Sequence, residues 1–271
     1  MSPVDDLTSP CGLAPAEIAI VLALADDELA MGHRHAEWIG IGPFLEEDLA
    51  FTSIAQDELG HARALLELLT SPPAGERAPA EPDVDAVDRL AYDRPPGRYR
   101  CAWLVEEPCP DWGDAFVRHL LYDLAETVRW EALAASTDTR VAALARRALA
   151  EEAFHVGHAL PIARRLLVGT AESRRRMGAS LDRLLPLAVG LFEPTPDEDD
   201  AVRSGFVPVP SGELHARWRS EVERLLADAG EHRTWPPMPG PGGRTGLRSA
   251  HFAAMHAEMV AVRALDPQAT W

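Results

Sequence analysis

The stretches Glu58-Leu-Gly-His61 and Glu152-Ala-Phe-His155 decide the fold of this chain. Each is a Glu-x-x-His pair inside a long helical pattern, with the carboxylate and the imidazole on the apolar stripe. A carboxylate buried on such a stripe costs several kcal/mol unless a partner compensates its charge. Two such helices, with one carboxylate from each of two further helices, form the di-iron or di-manganese site of a four-helix bundle. The pairs therefore predict an all-α four-helix bundle with a dinuclear metal site.

The residues around each pair recur at intervals of three and four, as one face of a helix requires. The first seam consists of Phe51, Ile54, Glu58, His61, Leu65 and Leu68. The second seam consists of Leu144, Ala148, Glu152, His155, Ala159, Ile162 and Leu166. Asp57 and Glu151 fall on the opposite faces, and we expect them to be hydrated surface charges. A single Glu-x-x-His pair can arise by coincidence on a helix surface, whereas two pairs on apolar seams favour a metal site.

Two further helices supply the remaining candidate ligands. Glu28 interrupts an apolar stripe thirty residues before Glu58, a separation that brings two residues of a long antiparallel helix pair to one level. Asp123 lies 29 residues before Glu152, and Glu126, one turn beyond, is a second candidate for the same position. The pattern does not choose between them. The predicted metal ligands are Glu28, Glu58, His61, Asp123 or Glu126, Glu152 and His155.

The predicted donor set contains oxygen and imidazole groups and no thiolate. Such ligands suit a di-iron centre, with manganese as the alternative metal, better than a structural zinc site. Other histidines are interpreted as ordinary residues. We expect His35, which shares the stripe of Glu28, to be a hydrogen-bonded core histidine, and we place His119 and His158 on helix surfaces.

The composition excludes several classes of protein. A formal net charge of −17 argues against nucleic-acid binding, because phosphates require a basic face. No apolar run is long enough to span a membrane, and residues 1–12 lack the basic and apolar regions of a secretory signal. The three cysteines have no metal-binding spacing, so we expect free thiols in a reducing cytoplasm.

The order of helical patterns predicts a single all-α domain over 14–271, preceded by a flexible N-terminus at 1–13. Four helices form the predicted bundle, and three more follow it as additional C-terminal helices. The predicted helices span 14–40, 44–70, 111–136, 138–169, 173–192, 211–229 and 246–265. Pro-rich connectors are predicted at 71–82, 94–111, 193–210 and 234–243.

Several short segments, spread from about Leu22 to Trp271, carry a family resemblance. They are Leu-Ala-Asp-Asp-Glu-Leu (24–29), Ala-Glu-Trp (36–38), Glu-Glu-Asp-Leu-Ala (46–50), Asp-Glu-Leu-Gly-His-Ala-Arg (57–63), Leu-Val-Glu-Glu-Pro (104–108), Glu-Glu-Ala-Phe-His (151–155) and Gly-Arg-Thr-Gly-Leu-Arg-Ser-Ala-His (243–251). With these segments the chain resembles the PaaC-type subunits of the bacterial phenylacetyl-CoA 1,2-epoxidases, which are multicomponent monooxygenases that oxygenate an aromatic ring.

The resemblance implies a ferritin-like fold and a place in aerobic phenylacetate catabolism. A homologous catalytic subunit of the PaaA type would carry the working di-iron centre, and a reductase component would deliver electrons from NADPH. The complex would epoxidise the ring of phenylacetyl-CoA with O₂. Subunits similar to this one are described as structural, with a degraded metal site. This sequence departs from that description, because both Glu-x-x-His pairs are intact.

The expected function is therefore that of a structural partner subunit of the epoxidase that retains its own di-iron site. The alternatives are a catalytically competent di-iron oxygenase or oxidase and a free-standing ferritin-like iron protein. We expect the chain expressed alone to form a homodimer or a larger oligomer. Aromatic and Met side chains outside the bundle seams are interface candidates. They are Trp103, Trp112, Trp235, Met238, Phe252, Met255 and Trp271.

Overall fold

The computed structural model describes residues 11–72, 84–238 and 240–266. Within these ranges the chain is all-α, as predicted, and contains no strand. The helices are α1 (Pro15–Ala36), α2 (Leu45–Thr70), α3 (Val84–Tyr92), α4 (Trp103–Glu106), α5 (Trp112–Leu133), α6 (Thr139–Val168), α7 (Ala171–Ala188), α8 (Glu198–Ser204), α9 (Ser211–Asp228) and α10 (Phe252–Met259). Most of the predicted flexible N-terminus, most of connector 71–82 and Trp271 lie outside the described residues.

Three of the long helices begin at polar side chains that satisfy their first backbone N–H groups. The side chains of Asp111, Asp138 and Thr170 each accept such a hydrogen bond, at 3.1, 2.9 and 3.1 Å. The sequence predicted the first two of these starts and placed the start of α7 two residues late. At its other end α7 tightens into a 3₁₀ turn over 189–192, so the predicted helix 173–192 is α-helical only to Ala188.

The helices form a ferritin-like bundle, as predicted. α1 packs along α2 after the turn at 37–44, and α5 packs along α6 in the same way. α2 also contacts α6, which brings the two pairs together, while α7 and α9 cover α5 from outside. Trp218 anchors α9, because its fully buried indole N–H donates a 3.0 Å hydrogen bond to the carbonyl of Leu121.

The last predicted helix, 246–265, is shorter in the structure, where α10 covers only Phe252–Met259. Gly246, where the predicted helix begins, has a φ of +87°. This left-handed conformation does not occur within a right-handed α-helix. Phe252 and Met255 are buried, so the prediction that they belong to an interface is wrong, and they are core residues. The short helices α3, α4 and α8 were not predicted, because a few helical turns leave little periodic signal.

A lattice of buried ion pairs holds residues 243–249, which include the start of the predicted helix, against the bundle. Asp27 of α1 is fully buried and accepts hydrogen bonds from Arg129 of α5 at 2.7 Å and from Arg244 at 2.6 Å. The backbone N–H of Ala102 donates a third bond to Asp27, at 2.8 Å. Burial alone would raise the pKa of Asp27, but Arg244 and Arg129 outweigh it and hold the pKa below its usual range.

Neighbouring acids extend this lattice. Asp26 accepts a 2.6 Å hydrogen bond from the backbone N–H of Arg100 and pairs with Arg94. Glu106 of α4 pairs with Arg248 at 2.8 Å and accepts from the backbone N–H of Ser249 at 2.7 Å. Buried ion pairs and hydrogen bonds thus hold the segments 94–106 and 243–249 against α1 and against each other, in addition to the apolar packing of α4 on α1.

We expect Asp27→Ala to lower the free energy of unfolding by about 3–5 kcal/mol, because it leaves the buried guanidinium of Arg244 without its carboxylate and Arg129 with Glu126 alone. Urea unfolding followed by circular dichroism measures the change. The matched control is Glu67→Gln, which removes the exposed pair with Arg63 and should cost less than about 1 kcal/mol. Equal losses in the two variants would contradict the central place given to Asp27.

Candidate metal centre

Four helices place one carboxylate each inside the bundle. Glu28 lies on α1, Glu58 on α2, Asp123 on α5 and Glu152 on α6, and none is more than 2% exposed. Ligand atoms of Asp123, Glu152 and His155 lie within 4.8 Å of one another. The charges of Glu28, Asp123 and Glu152 all act on Glu58, so the four acids form one cluster.

The two imidazoles of the Glu-x-x-His pairs enter this cluster through the same ring nitrogen. Nδ1 of His61 lies 3.3 Å from Glu28 Oε2, and Nδ1 of His155 lies 3.2 Å from Glu152 Oε1. Both rings are fully buried. In each case Nδ1 faces the carboxylates, so the structure brings both predicted histidines to the cluster.

The outer nitrogens of the same rings contact acids that cross between the two motifs. His61 Nε2 lies 2.6 Å from Glu151 Oε2, and His155 Nε2 lies 3.2 Å from Asp57 Oδ2. Asp57 and Glu151, predicted to be hydrated surface charges, keep side chains that are 31% and 35% exposed, but they also contact the buried imidazoles, which the sequence analysis did not predict. Each acid directly precedes the Glu of one pair and contacts the His of the other, a signal that the sequence already contained. Such contacts fix the orientation and the tautomer of an imidazole ligand.

The structure places Asp123, and not Glu126, beside Glu152 and His155. Glu126 turns away to form an ion pair with Arg129, one turn further along α5. Arg129 in turn binds Asp27, so Glu126 belongs to the buried ion lattice. One helical turn separates the two acids, and their partners decide which of them reaches the cluster.

Three more histidines adjoin the cluster. His35 Nδ1 lies 2.6 Å from Glu58 Oε2, so His35 is a buried, hydrogen-bonded histidine as expected, and its partner is a candidate ligand. His119 is fully buried, with Nδ1 2.9 Å from Asp123 Oδ2, which overturns its predicted place on a helix surface. His158 is only partly exposed and links His119, at 3.4 Å, to Glu47, at 3.3 Å. The two imidazoles of His119 and His158 therefore form a chain that joins Asp123 to Glu47 on α2.

Several carboxylate oxygens of the cluster have no well-formed hydrogen bond to any of the described residues. They are Glu28 Oε1, Glu58 Oε1, both oxygens of Asp123 and Glu152 Oε2. A buried polar atom without a partner is costly, so this arrangement calls for protons or for a cation. Hard oxygen donors combined with neutral imidazoles are the ligands that iron and manganese accept. The residues present therefore fit a dinuclear iron or manganese group.

Burial and mutual repulsion perturb the titration of the cluster. Burial, reinforced by Glu28 and Asp123, raises the pKa of Glu58 well above its ordinary value. Burial also raises the pKa of Glu152. For His61, burial alone would lower the pKa, but the hydrogen bonds to Glu28 and Glu151 raise it to about 9. Without a metal, the folded chain therefore retains protons at this site that the unfolded chain releases.

The chain is similar in sequence to known proteins. A model of the family described as "Phenylacetic acid catabolic protein" matches residues 5–271. The chain is 30% identical, over 253 residues, to the C subunit of the 1,2-phenylacetyl-CoA epoxidase of Escherichia coli (strain K12). That alignment covers 93% of this chain and 98% of the relative. Among the described helices, none is long and apolar enough to cross a membrane.

We expect the metal-free protein to lose stability as the pH rises from about 6.5 to about 9. The protonated imidazole of His61 stabilises the fold fully below the unfolded pKa of 6.5, and that contribution disappears as pH passes the folded pKa of about 9. The raised pKa of Glu58 acts in the same direction, because its ionised form is disfavoured in the fold. Urea unfolding with a chelator, at several pH values, measures the slope.

The control is His61→Gln, which removes one titrating group and should make that slope shallower. A free energy of unfolding that rises over the same pH interval would contradict the assignment of retained protons to this cluster.

Proposed function

This chain belongs to the phenylacetic acid catabolic protein family, and we propose that it is a subunit of a phenylacetyl-CoA 1,2-epoxidase that retains its own di-iron site. The similarity to one subunit of such an epoxidase, over nearly the whole length of both chains, supports the first part. The single observation that carries the second is the set of buried carboxylate oxygens without hydrogen-bond partners among the described residues.

In this proposal the metal is held by six side chains. They are Glu28, Glu58, His61, Asp123, Glu152 and His155. The group supplies O₂-dependent oxidation chemistry when it is bound. Asp57 and Glu151 hold the two imidazoles in orientation from outside, and His35 positions the carboxylate of Glu58. Because these contacts exist in the protein itself, the site is preorganised for its ligand.

The proposed working unit is a complex. A homologous catalytic subunit of the PaaA type is the partner, a reductase component supplies electrons from NADPH, and phenylacetyl-CoA binds to the assembly. This chain acts as the structural partner. The second candidate function is a competent di-iron oxygenase or oxidase, and the buried group of Asp123, Glu152 and His155, which could hold a metal ion, supports it over an inert scaffold. A free-standing ferritin-like iron protein is the third, and it predicts no partner at all.

The first test concerns the metal. Fe(II) under anaerobic conditions, or Mn(II), should raise the melting temperature of the metal-free protein by binding the folded state. Asp123→Asn should weaken that binding by at least about 10–100-fold, while Glu126→Gln should leave the stoichiometry unchanged. Metal analysis after desalting measures both. The Glu126 variant is matched, since it also removes a buried carboxylate from α5.

Metal loss in both variants to the same extent would contradict the choice of Asp123. A wild-type protein that stays folded and binds neither ion would contradict a metal site on this chain.

The second test concerns the complex. Co-expression with the PaaA-type subunit should give a stable hetero-oligomer on size-exclusion chromatography, and NADPH-dependent oxygenation of phenylacetyl-CoA should require this chain. Glu152→Gln in the complex then separates the two leading candidates. Retained turnover assigns a structural role to this subunit, and a loss of at least about 100-fold, with the complex intact, assigns it catalysis.

Full activity of the partner and reductase without this chain would contradict both leading candidates. Failure of the complex to form would favour the free-standing iron protein.

A further inference from the structure

Exposed apolar side chains are concentrated on one short stretch of the surface. The described residues include eleven large apolar side chains that are exposed, and five of them lie within 39–49. These five define the 39–49 patch, and they are Ile39, Ile41, Phe44, Leu45 and Leu49. Phe44 and Leu45 are each 69% exposed. Single exposed apolar residues are ordinary on a protein surface, but a contiguous group of this kind marks an interaction site.

The patch is held in a defined shape. Gly40 adopts a φ of +83°, which turns the chain between α1 and α2. The Asp48 side chain accepts a 2.9 Å hydrogen bond from the backbone N–H of Gly42, closing the turn onto the first turn of α2. Trp38 packs edge-on against Trp112 of α5, with ring centroids 5.5 Å apart. A surface that is already ordered loses little entropy when a partner binds to it.

The helical part of the patch is largely exposed, since Leu45 is 69% and Leu49 62% exposed. Leu45 and Leu49 are one turn apart on α2 and therefore lie on the same side of the helix. The opposite side carries Ala50 and Ile54, which are buried in the bundle. α2 is thus apolar on both sides over its first turns, as expected of a helix that is covered on both sides.

The charge around the patch restricts what can cover it. Residues 36–62 contain no Arg or Lys, whereas Glu37, Glu46, Glu47 and Asp48 lie within or beside the patch. Glu37 is paired with Arg34 at 2.6 Å. Two copies of this chain meeting through the patch would bring their remaining carboxylates together, which is unfavourable. The suitable partner is a different protein, with apolar side chains surrounded by Arg or Lys.

We propose that the 39–49 patch is the docking surface for the partner subunit of the complex, which presents an apolar contact ringed by basic residues. The inference rests on the proposed function and names the surface that the partnership uses. The same surface borders the buried cluster, because Glu47 contacts His158, the outer end of the imidazole chain from Asp123. A partner bound at the patch covers that end of the chain.

The test compares two triple variants in complexes with the PaaA-type subunit. Phe44→Ser/Leu45→Gln/Leu49→Gln removes the apolar contacts, and Ser is a favourable residue at the helix N-cap position that Phe44 occupies. We expect an unchanged circular dichroism spectrum and a dissociation constant raised by at least about 100-fold, measured by dilution of the purified complex. The matched control is Leu247→Gln/Val262→Gln/Leu265→Gln, whose side chains are exposed elsewhere. It should bind within about twofold of wild type.

A charge variant tests the basic ring separately. Glu46→Arg should slow association with the partner subunit and reduce its dependence on salt, because rim charges act mainly on the association rate. Faster association would overturn the proposed charge of the partner.

The remaining outcomes separate this inference from the proposed function. If wild type forms the complex and the patch variant binds as tightly as the control, the docking surface is wrong and the proposed function stands. If the chain alone is a dimer that the patch variant converts to a monomer, the occupant is a second copy and the inference is overturned. If wild type forms no complex, the proposed function fails and this partner with it.

Discussion

Four carboxylates that lie close together inside a helical bundle cannot all be ionised without partners. The polar side chains around them in the protein interior are arranged to meet this constraint. Their charges act on one another across the bundle, and several of their oxygens lack hydrogen bonds to the described residues. Two imidazoles face them directly, while Asp57 and Glu151 hold those rings from outside. The cluster is stable only with retained protons or with cations, which is the condition that a metal-binding site creates.

The run Asp26-Asp27-Glu28 contributes both to the buried ion pairs that stabilise the fold and to the carboxylate cluster. Successive residues of a helix point about 100° apart, so the three acids face different neighbours. Asp26 binds the connector near Arg100, Asp27 binds the two buried arginines, and Glu28 reaches the cluster. α1 is therefore enclosed on nearly all sides, and most of its residues are buried. The buried Arg129 and Arg244 therefore hold α1, the helix that carries the candidate ligand Glu28, in place.

A buried cluster of candidate metal ligands and an exposed apolar patch lie on the same chain. The patch lies on the same helix as Glu58 and His61, and Glu47 connects it to the imidazole chain. In a family that contains an epoxidase subunit, the cluster and the patch together support the proposal of a partner subunit with its own metal site.

The sequence determined the elements whose signals are local and periodic. The spacing of the two Glu-x-x-His pairs on apolar seams predicted the long helices, the all-α class and the candidate ligands, because period and burial are properties of a single helix. Tertiary structure alone decided between Asp123 and Glu126, since the choice depends on where Arg129 lies. It also placed Asp57, Glu151 and His119 beside the cluster and Phe252 in the core. Asp57 and Glu151 contact imidazoles on the other helix of the pair, and the position of Arg129 depends on Asp27 of α1, so these outcomes do not follow from the spacing within one helix.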